Sequence, residues 1–321
     1  MMVQQLSLII PCYNEENTVS ACFNAIQKIE QEIPLEFEYI FVNDGSTDST
    51  LAKIKALHHA YPASISYLSF SRNFGKEAAI FAGLEASSGE YVTLLDADLQ
   101  DPPELLIDMW EKIQDVEIDC VAAQRTDRKG EQLLVSASSK LFYKVINKIS
   151  EVPIVDGVRD FRLMTRQMVD AILSISEVNR FSKGIFAWVG FNTAYVTYAN
   201  QERMSGQSKW SFKNKVSYAI DGMVNFSAAP LVFATYMGMS IVGVDILIMF
   251  ILFVRQLVFH NSVSGWTSMS LIILLCFGFL MFTLGIIGRY IADIFSESKN
   301  RPIYIIKEKS PDDEKKKNKV K

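Results

Sequence analysis

The stretch Tyr91–Glu104, YVTLLDADLQDPPE, decides how the rest of the chain is read. Tyr91–Leu95 is a short apolar run, the pattern of a strand buried on both faces, and it ends directly in Asp96-Ala97-Asp98 with Gln100 two residues on. Pro102-Pro103 then opens a helical pattern that runs to Ile113, because a first helical turn tolerates a residue without an N–H. A buried strand, a polar loop and a helix in succession form the unit of an open α/β sheet, whose ligands sit beyond the carboxyl ends of the strands. Oxygen ligands therefore gather where the sheet opens.

The same unit repeats to either side. Leu6–Ile10, Tyr39–Val42, Ile65–Phe70 and Cys120–Ala123 read as further strands, and Glu16–Ile29, Ser49–His59 and Lys76–Ala86 join Pro103–Ile113 as helices. Polar motifs follow the strands at Pro11, Asn43 and Asp96, so three polar clusters converge at one edge. Asp96 and Asp98 suit a hard divalent ion such as Mg²⁺ or Mn²⁺, which needs only one or two carboxylates when substrate phosphates complete its shell. Two acids at a strand end also serve as turn formers or helix caps, so the pair alone leaves both readings open.

Beyond the sheet the composition changes. The chain is 49% hydrophobic over 321 residues, and its mean hydropathy is +0.15. Two spans account for this: Ala228–Val254 carries Asp245 as its one charge and Ser268–Gly288 carries none, each meeting the roughly 20 residues that cross a bilayer. Lys209, Lys213 and Lys215 precede the first span and Arg289, Lys299, Arg301 and Lys307 follow the second, whereas the intervening Arg255–Thr267 holds a single arginine. That asymmetry places both termini and the sheet in the cytoplasm. Asp245 is expected to face a helix or polar pocket rather than lipid, and Gly238 and Gly243 leave room for helix pairing, including between copies of the chain.

Glu131–Ser150 is amphipathic, with Lys140, Lys144 and Lys148 four residues apart, which suits an anionic membrane interface or a core helix with a solvated lysine face. The C-terminal PDDEKKKNKVK has no apolar periodicity and reads as a disordered tail. A net charge of −4 argues against a nucleic-acid surface. The four cysteines show no metal-ligand spacing, and Leu6–Ile10 is too short and lacks the basic flank of a signal peptide.

With these motifs in order, the sequence resembles glycosyltransferase family 2, and within it the polyprenyl-phosphate glycosyltransferases that include dolichol-phosphate mannose synthases and bactoprenol glucosyltransferases. The resemblance runs from about residue 5 to 305 through LIIPCYNEE (8–16), FVNDGSTDST (41–50), FSRNFGKE (70–77), DADLQ (96–100), QRTDRKGE (124–131), VRDFRL (158–163) and ERMSGQSKW (202–210). It implies an α/β fold: a GT-A-type, Rossmann-like nucleotide-sugar-binding domain over residues 1–226, with amphipathic interface helices near 131–150 and 210–226. A two-helix transmembrane region, 227–291, and a cytoplasmic segment and tail, 292–321, complete the expected organisation.

The resemblance also implies roles. Pro11, Tyr13 and Glu15 line the base and ribose, and Asp44 faces the base. Lys76 approaches the diphosphate, Asp96 contacts the nucleotide, and Asp96, Asp98 and Gln100 hold the metal. Arg125, Arg128, Arg203, Ser208 and Lys209 supply donors to phosphates, those of the lipid acceptor included, where the arginine fork can bind two oxygens at once. Asp98 and Asp160 are the catalytic acids. Asp160 aligns with a residue commonly assigned as base, yet a phosphate monoester with a second pKa near 6 is mostly a dianion at pH 7, so Asp160 reads better as an orienting group. The implied donor is a nucleotide-sugar, with UDP-glucose favoured and UDP-GlcNAc, UDP-galactose and GDP-mannose open. A processive synthase is disfavoured by the missing Q-x-x-R-W element, and a non-catalytic scaffold by the intact motifs.

Overall fold

The computed structural model describes residues 4–126, 155, 157–175, 177–199, 227, 229–259 and 265–311. Strands β1 (Gln5–Cys12), β2 (Glu36–Asn43), β3 (Ile65–Phe70) and β4 (Tyr91–Leu94) lie parallel in the order β4-β1-β2-β3, as their near-continuous apolar runs require. Side chains alternate along each strand. Leu6, Leu8 and Ile10 of β1 join Tyr39 and Phe41 of β2 in one core, while Ile9, Ile40 and Val42 enter the other.

Helices cover both faces. On the first face pack α1 (Val19–Ile29), α2 (Thr50–Ala60) and α4 (Leu105–Ile113), through residues such as Phe23, Ile54 and Met109. On the second pack α3 (Lys76–Ala86), α5 (Arg166–Ser174) and α6 (Ser182–Trp188), through residues such as Ala79, Met168 and Phe186. The expected GT-A-type α/β architecture is present.

Three strands were not anticipated. β5 (Cys120–Arg125) is joined by β6 (Val158–Thr165), which inserts antiparallel between β4 and β5, and by β7 (Thr193–Tyr198) at the edge. At the other edge β8 (Ile306–Lys309), past the apolar helices, pairs antiparallel with β3. The complete order is β7-β5-β6-β4-β1-β2-β3-β8. Residues 306–309 are therefore part of the catalytic sheet rather than a separate C-terminal segment.

Two helix starts shift from their expected places. α1 begins at Val19 rather than Glu16, because the Glu15 N–H donates to Thr50 Oγ1 at 2.7 Å and the Glu16 N–H to Asp48 Oδ2 at 3.2 Å. These donors are bound to the neighbouring loop before the helix begins. α4 starts at Leu105, with Pro102 and Pro103 accepting from Leu105 and Leu106 in a lead-in turn.

The apolar spans are α7 (Ala229–Phe259) and α8 (Trp266–Ser298), both long and apolar enough to cross a membrane. Phe233, Tyr236, Phe250, Leu275 and Phe277 lie exposed on them, an apolar surface of the kind that marks a membrane or protein contact. Gly238 lets the pair approach: a Cβ there would stand 3.3 Å from the Phe279 ring. Tyr290 donates to the Ser227 carbonyl at 2.7 Å, fixing the start of α7 against α8. The expected interface helices at 131–150 and 210–226, and residues 312–321 of the tail, fall outside the described residues.

Candidate active site

The crevice opens where β4 and β1 end. Leu95 still pairs with Ile9, its N–H 3.0 Å from the carbonyl, and then the chain turns sharply. Leu99 takes the left-handed conformation at φ +53°, uncommon for a residue with a side chain, and the Asp98 carboxylate accepts the Gln100 N–H at 3.2 Å. The loop is thereby folded back so that Asp96 and Asp98 lie at the sheet edge.

Lys76 meets them there. It is the first residue of α3, preceded by Gly75 at φ +101°, a conformation that strongly favours glycine. Its ammonium stands 2.8 Å from each Asp96 carboxylate oxygen and 2.6 Å from Asp160 Oδ2 of β6. Burial pulls the Lys76 pKa down, but the two carboxylates overcome it and hold the ammonium well above the ordinary lysine value. Burial likewise pushes Asp160 up, and the charges of Lys76 and then Lys183 outweigh it, holding this carboxyl well below the usual range. With the Lys76 side chain 37% exposed, solvent screens the pair, and its contribution to stability is small.

Two carboxylates from adjacent strands thus converge on one cation, with Asp98 two residues from Asp96. All-oxygen donors at the mouth of a crevice are the set that Mg²⁺ or Mn²⁺ accepts. Among the described residues no three acidic, histidine or cysteine side chains gather as a metal cage.

On the other side, Asp44 at the end of β2 is 3% exposed and accepts the Phe74 N–H at 2.6 Å and the Gly75 N–H at 3.0 Å, one on each oxygen. Burial raises its pKa, and those two N–H groups and Arg72 moderate the rise. Asp44 is placed to hold the loop that leads into Lys76, and each carboxylate oxygen can accept a further hydrogen bond. Tyr13 is 38% exposed beside it. Asn14, at φ 54°, accepts the Thr47 N–H at 2.8 Å on its side-chain oxygen, while its own N–H donates to Ser46 at 3.0 Å. Pro11 lies within β1, and Glu15 accepts the Thr18 hydroxyl at 2.7 Å.

The model for Glycosyl transferase family 2 matches residues 7–173. A putative glycosyltransferase of Bacillus subtilis, CsbB, is 45% identical over 303 residues, covering 94% of this chain and 91% of its own. The chain belongs to glycosyl transferase family 2. The bactoprenol glucosyl transferase of Shigella phage SfV is 40% identical over 303 residues, covering 94% of this chain and 98% of its own. Among solved structures, the mannosyltransferase PcManGT of Pyrobaculum calidifontis overlays 69% of this chain and 64% of its own at 17% identity and a TM-score of 0.48.

The stretch matched to family 2 carries the loops that hold Asp44, Lys76, Asp96 and Asp160. Asp101, Arg159 and Gln100 within it form a network with Tyr198 beyond it. Asp101, its side chain 3% exposed, accepts Arg159 Nε at 3.1 Å and the Tyr198 hydroxyl. The same guanidinium reaches Gln100 Oε1, the oxygen expected to serve the metal, at 3.3 Å. Asp101 and Arg159 both sit inside motifs of the sequence, LQDPPE and VRDFRL, but nothing in either motif pairs one with the other.

Arg125 closes β5 at the same end as Asp160, its N–H bound to the Gly157 carbonyl at 3.0 Å. Gly157, at φ +79°, must be glycine, since a Cβ would lie 2.7 Å from the Arg125 carbonyl oxygen. The structure therefore brings together Lys76, Asp96 and Asp160, ties Asp44 to them through Gly75, and sets Arg125 nearby. Arg128, Arg203, Ser208 and Lys209 lie outside the described residues.

Proposed function

We propose that the protein transfers a hexose, with UDP-glucose the favoured donor, to a membrane-held polyprenyl phosphate of the undecaprenyl class, with inversion at the anomeric carbon. The observation that carries this reading is the 40% identity to a bactoprenol glucosyl transferase over 94% of the chain, a length that takes in both apolar helices as well as the crevice. UDP-GlcNAc, UDP-galactose and GDP-mannose are the competing donors.

Asp96 and Asp98 would hold Mg²⁺ or Mn²⁺, which when bound neutralises charge on the departing nucleoside diphosphate. Asp44 accepts from the N–H groups of an imide-like base edge, while Pro11, Tyr13 and Glu15 line the base and ribose. Lys76 stands beside Asp96 with a permanent positive charge suited to the diphosphate. A lipid-phosphate oxygen attacks the anomeric carbon, a new bond forms from that carbon to the phosphate, and the bond to the diphosphate breaks with its electron pair leaving on the nucleotide. The acceptor needs little help from a base, because its second pKa near 6 leaves it mostly dianionic at pH 7. Asp160, held ionised and engaged by Lys76, orients the sugar or acceptor rather than collecting a proton. Arg125, Arg128, Arg203, Ser208 and Lys209 complete the phosphate contacts.

The two-span topology is supported by continuity of the sheet. β8 follows α8 yet pairs with β3, so the chain must return to the side on which the sheet lies. The lysine and arginine asymmetry makes that side cytoplasmic.

The test incubates membranes containing the full chain with polyprenyl phosphate, Mg²⁺ or Mn²⁺, and each of the four labelled donors. We expect labelled lipid from UDP-glucose, and a loss of about 10³-fold in Asp96→Asn and Asp98→Asn, the scale of removing a group that stabilises transition-state charge. Undiminished transfer in those variants would remove the metal assignment, and product from GDP-mannose alone would overturn the donor.

A further inference from the structure

The end of α8 grips the catalytic domain beside the crevice. Glu297, in the last turn of that helix, accepts the N–H groups of Val178 and Asn179, each at 3.0 Å. Three residues on, Ser182 donates its N–H to Glu77 at 3.1 Å and its hydroxyl to the same oxygen. Glu77 is the neighbour of Lys76 in the first turn of α3. Between these anchors, Arg180 lies over the ring of Phe81, also in α3, at 4.4 Å. Lys183, which follows Ser182, is one of the charges that hold Asp160 ionised.

A second strap runs along the same side. Tyr304 stacks on Phe70 at 4.9 Å, and its hydroxyl donates to Glu85 at the far end of α3 at 2.5 Å. The Ser71 N–H donates to the Ile305 carbonyl at 2.9 Å. The loop 70–77, which delivers Lys76 to Asp96 and Asp160, is thus held at its root by the segment that leaves the membrane helix.

We propose that Glu297 is a positioning residue for the transfer reaction, fixing the crevice at a set offset from the membrane helix so that a bilayer-held phosphate reaches the reacting centre. Glu297 is far in sequence from every motif of the site, and it touches neither Lys76 nor the carboxylates. It acts through two backbone N–H groups and the Ser182–Glu77 contact. A carboxylate suits this work because it can accept several N–H groups at once and does so more strongly than a neutral oxygen. Placement matters steeply in such reactions, since a misplacement of about 1 Å can cost about 10²-fold in rate.

The inference rests on the proposed lipid-phosphate acceptor, and its test separates the two. The full-length protein in lipid nanodiscs is assayed with long-chain polyprenyl phosphate in the bilayer and, in parallel, with a short-chain, water-soluble isoprenyl phosphate. Glu297→Ala is expected to lower kcat/KM for the bilayer acceptor by at least about 10-fold, mainly through KM, while transfer to the soluble phosphate changes by less than about 3-fold. Glu297→Gln, which keeps an accepting oxygen, should fall between Glu297→Ala and the unsubstituted protein. The soluble acceptor reports whether each variant is folded and competent, and Glu297→Gln carries the same comparison if Glu297→Ala does not fold. Equal loss on both acceptors, or no loss on either, would overturn the positioning role. A wild-type protein that glycosylates neither phosphate would instead overturn the proposed function.

Discussion

On the β1–β2–β3 side of the crevice each bond that ties the loops has an uncharged partner, a backbone group or a hydroxyl or amide side chain, whereas on the β4–β6–β5 side charged side chains pair with one another. Asn14 with Thr47, Asn14 with Ser46 and Glu15 with Thr50 hold the first two loops together. Asp44 adds a carboxylate, but one spent on two backbone N–H groups. Opposite them, Lys76 bridges Asp96 and Asp160, and Arg159 joins Asp101 to Gln100. Directional bonds to backbone keep one shape. An exposed ammonium between two carboxylates can change partners when phosphates arrive, because its gain in any one arrangement is modest. The division suits a surface that is already formed for a base and an opposing surface that rearranges around a reacting diphosphate.

The largest break in this comparison should come from Lys76→Met, which leaves Asp96 and Asp160 without the ammonium that bridges them. We expect initial transfer rates to fall by about 10²- to 10³-fold, with a melting temperature in nanodiscs nearly unchanged because the pair is exposed. A large melting shift would mean that the charged side is structural. Next comes Arg159→Ala, which strips the buried Asp101 of its cation while Tyr198 remains. It should destabilise by about 2 kcal/mol and lower the melting temperature by about 4–8 °C. Scanning fluorimetry measures it, and an unchanged midpoint would refute the role of the network.

Smaller is Asn14→Ala, which removes a cross-loop acceptor and forces alanine into a left-handed conformation. We expect about 1–2 kcal/mol of destabilisation and a several-fold rise in KM for the donor with little change in kcat, read from donor titrations. The smallest effect is a predicted absence. A depressed carboxyl contributes stability above its unfolded pKa, about 3.9, and loses it only as pH falls through the lower folded value, so Asp160 should not titrate between pH 5 and 8. Any acid limb of the rate near pH 6 then belongs to the acceptor phosphate and should survive in Asp160→Asn. Its disappearance in that variant would return Asp160 to the role of base.

What the sequence disclosed follows from how each element is buried. β1 to β5 lie in the sheet interior, and their apolar runs are visible without a structure. β6 is hidden in the sequence because VRDFRLMT carries Arg159, Asp160 and Arg162, two of whose partners lie far along the chain, Asp101 for Arg159 and Lys76 for Asp160, while Arg162 lies over the Phe186 ring. β7, TAYVTY, has the composition of a strand and was passed over between motifs. β8, IKEK, reads as tail, and only an edge strand with solvent beside it tolerates such charge. In the site, the motif residues Asp44, Lys76, Asp96 and Asp160 were named in advance. The Lys76 bridge, the Gln100–Arg159 contact and the grip of Glu297 were not, because each joins residues distant in the chain.

The pairing of β8 with β3 also sets the order in which the protein can be completed during synthesis. The outer edge of β3 stays open until residues 306–309 emerge, about 240 residues later, which at roughly 5–20 residues per second is on the order of 12–48 s. Throughout that interval the two apolar helices are made while the strand edge stays unpaired, the kind of edge that invites association with other chains. Synthesis of both apolar helices therefore precedes closure of the sheet, and a ribosome stalled between α7 and α8 would present an unfinished sheet to chaperones.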